Sequence, residues 1–221
     1  ESWNYPEADT KSLTHGIHRY SGKFIPQIAA RAIGMLTAPG ELVVDPYCGS
    51  GTTLLEAALL GRRAMGIDLN PLAVLIAETK TTPVSVRELA ALRRDLSIRL
   101  EHVRSRHDMP LFSASAAGRE PTLAEADPRL SDPWFSKWFQ RPVLEELVVL
   151  DHAINDVEDR RCRNVARVAF SDILRRSSNA HSGYPNVMFD RKAPEKPRPI
   201  RAFLRSLDRV CDMVASLDSV R

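Results

Sequence analysis

The stretch Leu42-Val43-Val44-Asp45-Pro46-Tyr47-Cys48-Gly49-Ser50-Gly51-Thr52-Thr53 restricts this chain more than any other part of it. Its short, β-branched apolar run reads as a buried strand. Asp45-Pro46 ends that strand, because proline fixes φ and has no N–H to donate. Gly49 and Gly51 permit positive φ and let a ligand approach the backbone closely. Thr52 or Thr53 then opens a helix whose expected apolar face carries Leu54, Leu55, Ala58 and Leu59. A strand, a glycine turn and a helix in this order aim free N–H groups at an anionic or polar ligand. A bare Gly-x-Gly is as readily an ordinary tight turn, so a second signal has to decide.

That signal is Arg63-Ala64-Met65-Gly66-Ile67-Asp68. It reads as a second strand ending in an acid, about 20 residues past the glycines, as a nucleotide-binding fingerprint requires. The Asp68 carboxylate is suited to accept hydrogen bonds from the two hydroxyls of a ribose. Asn70-Pro71 starts a further helix over 72–79. Asp68 as a helix cap is the alternative; the turn upstream favours the ribose.

The remaining sequence bounds the protein class. Its 221 residues suffice for one good-sized domain, or for a domain with an appendage, and 43% hydrophobic residues supply a core. A net charge of +3 does not by itself point to nucleic acid. Arginines nevertheless cluster over 87–106, 160–176 and 191–209, an arrangement fit to track phosphates. Cys48, Cys162 and Cys211 are too widely spaced for a zinc site or a disulfide framework and suit a reducing, cytoplasmic setting. No apolar run reaches the ~18 residues of a membrane span, and no signal peptide is seen. The start at Glu1, without an initiator Met, suggests trimming.

Helices are expected over 26–36, 86–106, 142–155, 160–176 and 200–217, with 108–133 as a long linker. Trp134-Phe135 and Trp138-Phe139 lie four apart and make one aromatic face, read as a docking contact to a core. Residues 177–199 are polar, proline-rich and basic, and read as a flexible loop able to close over substrate; His181 and Tyr184 read first as residues of an exposed loop, with contact to a base as the alternative.

Asp45-Pro46-Tyr47-Cys48-Gly49-Ser50-Gly51-Thr52 resembles motif I of the amino-group DNA methyltransferases, a branch of the class I S-adenosylmethionine (SAM) enzymes. Gly66-Ile67-Asp68-Leu69-Asn70-Pro71 resembles their motif II. His18-Arg19-Tyr20-Ser21-Gly22-Lys23-Phe24-Ile25-Pro26-Gln27 resembles their motif X. The likeness covers about residues 15 to 80. It implies an α/β fold: the N-terminal half of a Rossmann-like SAM-methyltransferase core over 1–82, followed by a mainly helical region over 83–221, a candidate DNA-contacting insertion. It implies that Asp45 lies near the sulfonium and ammonium of SAM. Backbone groups at Cys48, Gly49 and Gly51 would surround the methionine part, with Tyr47, Ser50 and Thr52 also among the cofactor-binding residues. Asp68 would hold the ribose and Leu69 would lie along the adenine, with Asn70 also among the cofactor-binding residues. Tyr20, Lys23, Phe24 and Pro26 would close the site around the methionine carboxylate. No metal is implied.

One departure matters. The family's catalytic tetrapeptide, Ser, Asp or Asn followed by Pro-Pro and an aromatic residue, occurs nowhere in the chain. The catalytic residues are therefore unknown, and the chain alone is expected to be incomplete or inactive. A C-terminal segment or a second chain would supply the motif. The expected reaction is direct methyl transfer to the exocyclic amine of a base flipped from double-stranded DNA, with cytosine-N4 ahead of adenine-N6. RNA guanine-N2 methyltransferases share the Asp-Pro-aromatic-Cys-Gly-Ser-Gly-Thr turn and form one alternative. A non-catalytic SAM-binding subunit forms the other.

Overall fold

A computed structural model of the chain describes residues 3–23, 25–107, 126–181 and 187–218, the side chains of 102–107 excepted. The described elements are α1 (Pro26–Leu36), β1 (Leu42–Asp45), α2 (Thr52–Leu59), β2 (Arg63–Gly66), α3 (Pro71–Thr81), α4 (Val86–His107), a 3-10 turn (Pro128–Leu130), α5 (Pro133–Trp138), α6 (Arg141–Asn155), α7 (Arg160–Ser177) and α8 (Pro199–Ala215). The chain divides into two compact units, one of residues up to Leu89 together with those from Arg209 on, the other Ala90–Asp208.

In the first unit, β1, α2 and β2 form a β-α-β crossover. The strands pair in parallel, Leu42 opposite Arg63 through Asp45 opposite Gly66. Ile67 N–H to Asp45 O at 2.9 Å and Cys48 N–H to Ile67 O at 3.0 Å carry the ladder past the strand ends. Side chains alternate across a strand, and the two faces differ here. Val43 packs on Ala29, Ile33 and Ala57, where α1 and α2 cover the sheet. Leu42 and Val44, with Met65 opposite Val44 and Ile67 beyond it, lie open on the other face, each about half exposed. A parallel sheet ordinarily has both faces covered. The strand expected to be buried is therefore buried on one side only, because among the described residues no element packs on the second. α2 also differs from expectation: its buried residues are Thr52, Leu55 and Ala57, and Ala58 faces solvent.

The helix boundaries follow local chemistry. Asn70 caps α3 by accepting from Leu72 N–H at 3.0 Å, and Pro71 at the first helical position forfeits no hydrogen bond. Ser85 and Glu88 form a reciprocal capping box at the start of α4.

In the second unit, Phe135 of α5 and Phe139 just past its end pack on Leu130, Leu144 and Val148, while α6 packs along α7. The aromatic face therefore splits: the phenylalanines dock, but Trp134 stays exposed and Trp138 meets Phe189 edge-on, centroids 5.5 Å apart. The loop expected to be flexible is tied down where it is described. His181 N–H donates to Met188 O and Asp190 N–H to Asn179 O. Gln140 Nε2 donates to Pro194 O, and Gln140 Oε1 accepts from Lys196 N–H. Buried Glu146 accepts from Ile200 N–H at 3.0 Å and fixes the start of α8. Tyr184 and most of the long linker lie outside the described residues.

Candidate cofactor-binding site

The carboxyl ends of two parallel strands converge on the glycine turn, which is where open α/β sheets bind ligands. Gly51 sits at φ 78°, in the left-handed region, and a Cβ there would stand 2.8 Å from the Ala77 Cβ of α3. Glycine is needed twice over, for the backbone angle and for the close passage of α3. Gly66 has a different role: a Cβ on it would meet Leu54 Cδ1 at 2.6 Å and Cys48 Cβ at 2.9 Å, so its hydrogen lets the turn lie over β2.

Gly51 is also the residue preceding α2, and no side chain caps this helix. The first N–H groups of a helix have no intrahelical acceptor. At α2 they open on the turn formed by Cys48, Gly49 and Ser50, with Thr52, itself buried, as the first helical residue.

Asp68 joins the two halves of the site. One carboxylate oxygen accepts from Gly49 N–H at 2.9 Å, the other from Asn70 N–H at 2.8 Å. The cap of α3 is Asn70 and not Asp68, so the capping alternative for the acid does not hold. Asn70 Nδ2 also donates to Tyr20 Oη at 3.4 Å, and the Tyr20 ring lies 3.5 Å from where a Cβ on Gly49 would be. Tyr20, Gly49, Asp68 and Asn70 are thus brought together from three separate stretches of sequence.

The other expected residues are placed less uniformly. Asp45 accepts from Tyr47 N–H at 3.1 Å, which shapes the turn. The Tyr47 and Leu69 side chains project into solvent. Cys48 is buried, and burial, then the charges of Asp45 and Asp68, push its thiol pKa up, which keeps it protonated and poorly nucleophilic. Lys23 is half-buried and donates to His15 O at 2.9 Å; burial, then Lys11, lowers its pKa. Pro26 is buried at the start of α1, and Phe24 lies outside the described residues.

Three residues of this wall carried no sequence signal. His15 is buried, with Nε2 2.7 Å from Glu56 Oε1. Thr14 Oγ1 donates to Lys80 O at 2.8 Å. The Lys80 side chain is 1% exposed and reaches Ser50 Oγ at 3.4 Å. Contacts spanning 30 to 66 residues leave no local pattern to read.

The DNA methylase family, which takes in the N6- and N4-directed enzymes, matches residues 1–79. The type II methyltransferase M.MvaI of Kocuria varians is 28% identical over 215 residues, 91% of this chain and 43% of that protein. M.MjaII of Methanocaldococcus jannaschii is 37% identical over 90 residues, 41% of this chain and 17% of its own length. A tRNA (guanine(10)-N2)-dimethyltransferase of the same archaeon is 33% identical over 52 residues, 23% of this chain and 15% of its own. The chain therefore spans less than half the length of these relatives, and no solved structure matches it. The family match takes in the glycine turn, Asp68 and the segment that precedes them, so this part of the chain is similar to the DNA amino-methyltransferases.

Proposed function

We propose that this chain is the methyl-donor-binding part of a SAM-dependent DNA methyltransferase. The observation that carries the reading is the Asp68 carboxylate held at 2.9 Å from Gly49 N–H, beside a helix with no side-chain cap. An acid across from a glycine turn suits a nucleoside, and free helical N–H groups suit a carboxylate. SAM has both ends, and supplies an electrophilic methyl group. Asp68 would accept the ribose hydroxyls, and Asp45 would face the ammonium. Leu69 and Asn70 would flank the adenine, while Tyr20, Lys23 and Pro26, with Phe24, would close the site. Cys48, protonated and buried, takes no covalent part. The fold would be the first half of a Rossmann-like core.

The acceptor in this reading is the exocyclic amine of a base flipped from double-stranded DNA, with cytosine-N4 ahead of adenine-N6. Unstacking the base costs a few kcal/mol, and holding the amine in line with the methyl group supplies most of the rate. A further segment or a second chain would bring the prolyl-prolyl-aromatic motif. The DNA reading is favoured over the RNA one because the type II relative matches 91% of the chain, second unit included, whereas the tRNA enzyme matches 23%. Calorimetry with SAM tests the cofactor assignment. The wild-type chain binds it, and Asp68→Ala weakens binding roughly tenfold or more, the scale of a lost hydrogen bond to a charged group. A dissociation constant unchanged by that substitution would remove Asp68 from the site.

A further inference from the structure

The wall beneath the glycine turn holds more hydrogen-bond donors than acceptors. Lys80 is 1% exposed and Ser50 3%. The Lys80 ammonium carries three protons, and among the described residues its one side-chain hydrogen bond is the long one to Ser50 Oγ, at 3.4 Å. The Ser50 hydroxyl accepts there, and its own proton meets no acceptor among the described residues. Lys23, whose ammonium donates to His15 O, adds a second cation from the N-terminal segment. Buried ammonium groups are ordinarily paired, so this cluster lacks an anion. Beside it stand the start of α2, which no side chain caps, and the left-handed Gly51.

We propose that Lys80, acting through Ser50, is the positive charge that anchors the carboxylate of the methyl donor at the glycine turn. This rests on the cofactor reading above and adds to it a positioning residue outside the three motifs. Lys80 Nζ donates to Ser50 Oγ, and Ser50 O–H turns its proton toward the carboxylate seated on the N–H groups of α2. Burial, then the charge of Lys23, brings the Lys80 pKa down to about 7. A bound carboxylate favours the protonated amine. Above pH 7 the amine therefore takes up a proton when the ligand binds, and affinity falls as pH rises. Lys23 is the charged group that acts on Lys80 from a neighbouring element, and the His15–Glu56 pair lies in the same wall.

The test compares S-adenosylhomocysteine with its decarboxylated analogue on the 221-residue chain, by calorimetry. The wild type prefers the carboxylate-bearing ligand by tenfold or more at pH 7, and that preference shrinks toward pH 8.5. In Lys80→Met the preference collapses and no longer varies with pH, while the decarboxylated analogue binds as before. Ser50→Ala, a smaller change, lowers the preference severalfold and gives the answer should Lys80→Met not fold. Unchanged discrimination in the folded variants overturns the role of Lys80 and leaves the cofactor assignment standing. Failure of the wild type to bind either ligand overturns both.

Discussion

Single residues decide the geometry of the turn. Gly51→Ala would place a methyl group 2.8 Å from the Ala77 Cβ and force an L residue to φ 78°. Its expected cost is at least ~2 kcal/mol, read as a fall of roughly 10 °C in the melting temperature of the first unit. Thermal melting followed by circular dichroism checks this, and a shift below about 2 °C would show that α3 gives way. The glycines and Asp68 were legible in sequence because their spacing encodes a backbone path. Lys80 was not: an amine at the end of an apolar helix looks like a solvated surface lysine until the fold brings Ser50, 30 residues away, against it. Tyr47 and Leu69, which the motifs suggest as site residues, turn their side chains to solvent. Motif membership fixes where the backbone goes and leaves the direction of a side chain to its surroundings.

Elements were legible to the extent that their signals were local. Asn70-Pro71 and Asp159 state where α3 and α7 begin, since each side chain caps its own helix. Asp159→Ala is expected to cost about 1 kcal/mol, measurable by urea denaturation of the chain. Strand burial was not legible, because β-branched residues mark a strand without saying what covers each face. An ion-pair cluster in the second unit shows the same limit. Asp127 takes bonds from Arg129 at 2.8 Å and from His152 at 3.0 Å, and Arg129 also reaches Asp151 at 2.7 Å. The Arg129 hydrogen bond holds the Asp127 carboxyl well below the usual carboxylate range. A depressed folded-state pKa contributes stability that is present above roughly pH 4 and is lost as pH falls through the folded value. Acid denaturation followed between pH 5 and 2 is therefore expected to be shallower in Asp127→Asn than in wild type, and less stability remains in that variant at neutral pH.

At the scale of the whole molecule, the sequence announces an α/β start and a helical remainder but not the path between them. Residues from Arg209 on belong with the first unit, where Arg209 donates to the backbone carbonyls of Gly16 and Ile17, both at 3.1 Å. That return joins positions more than 190 apart in sequence, and no periodicity records it. The match to the type II relative extends across 91% of this chain and so includes the helical unit. We expect the purified 221-residue chain to bind SAM and to transfer no methyl group to DNA. Incorporation of tritium from labelled SAM into duplex DNA would show instead that an unrecognised acceptor site lies within it.

The open face of the two-stranded sheet has a practical consequence for anyone handling the protein. Val44, Met65 and Ile67 form a hydrophobic strip beside backbone groups that pair with no third strand among the described residues. Such an edge recruits strands from neighbouring molecules. The chain should accordingly grow turbid as concentration and ammonium sulfate rise, long before its helices melt. Replacing Val44 and Met65 by lysine should raise its solubility limit severalfold, with the near-ultraviolet spectrum unaltered.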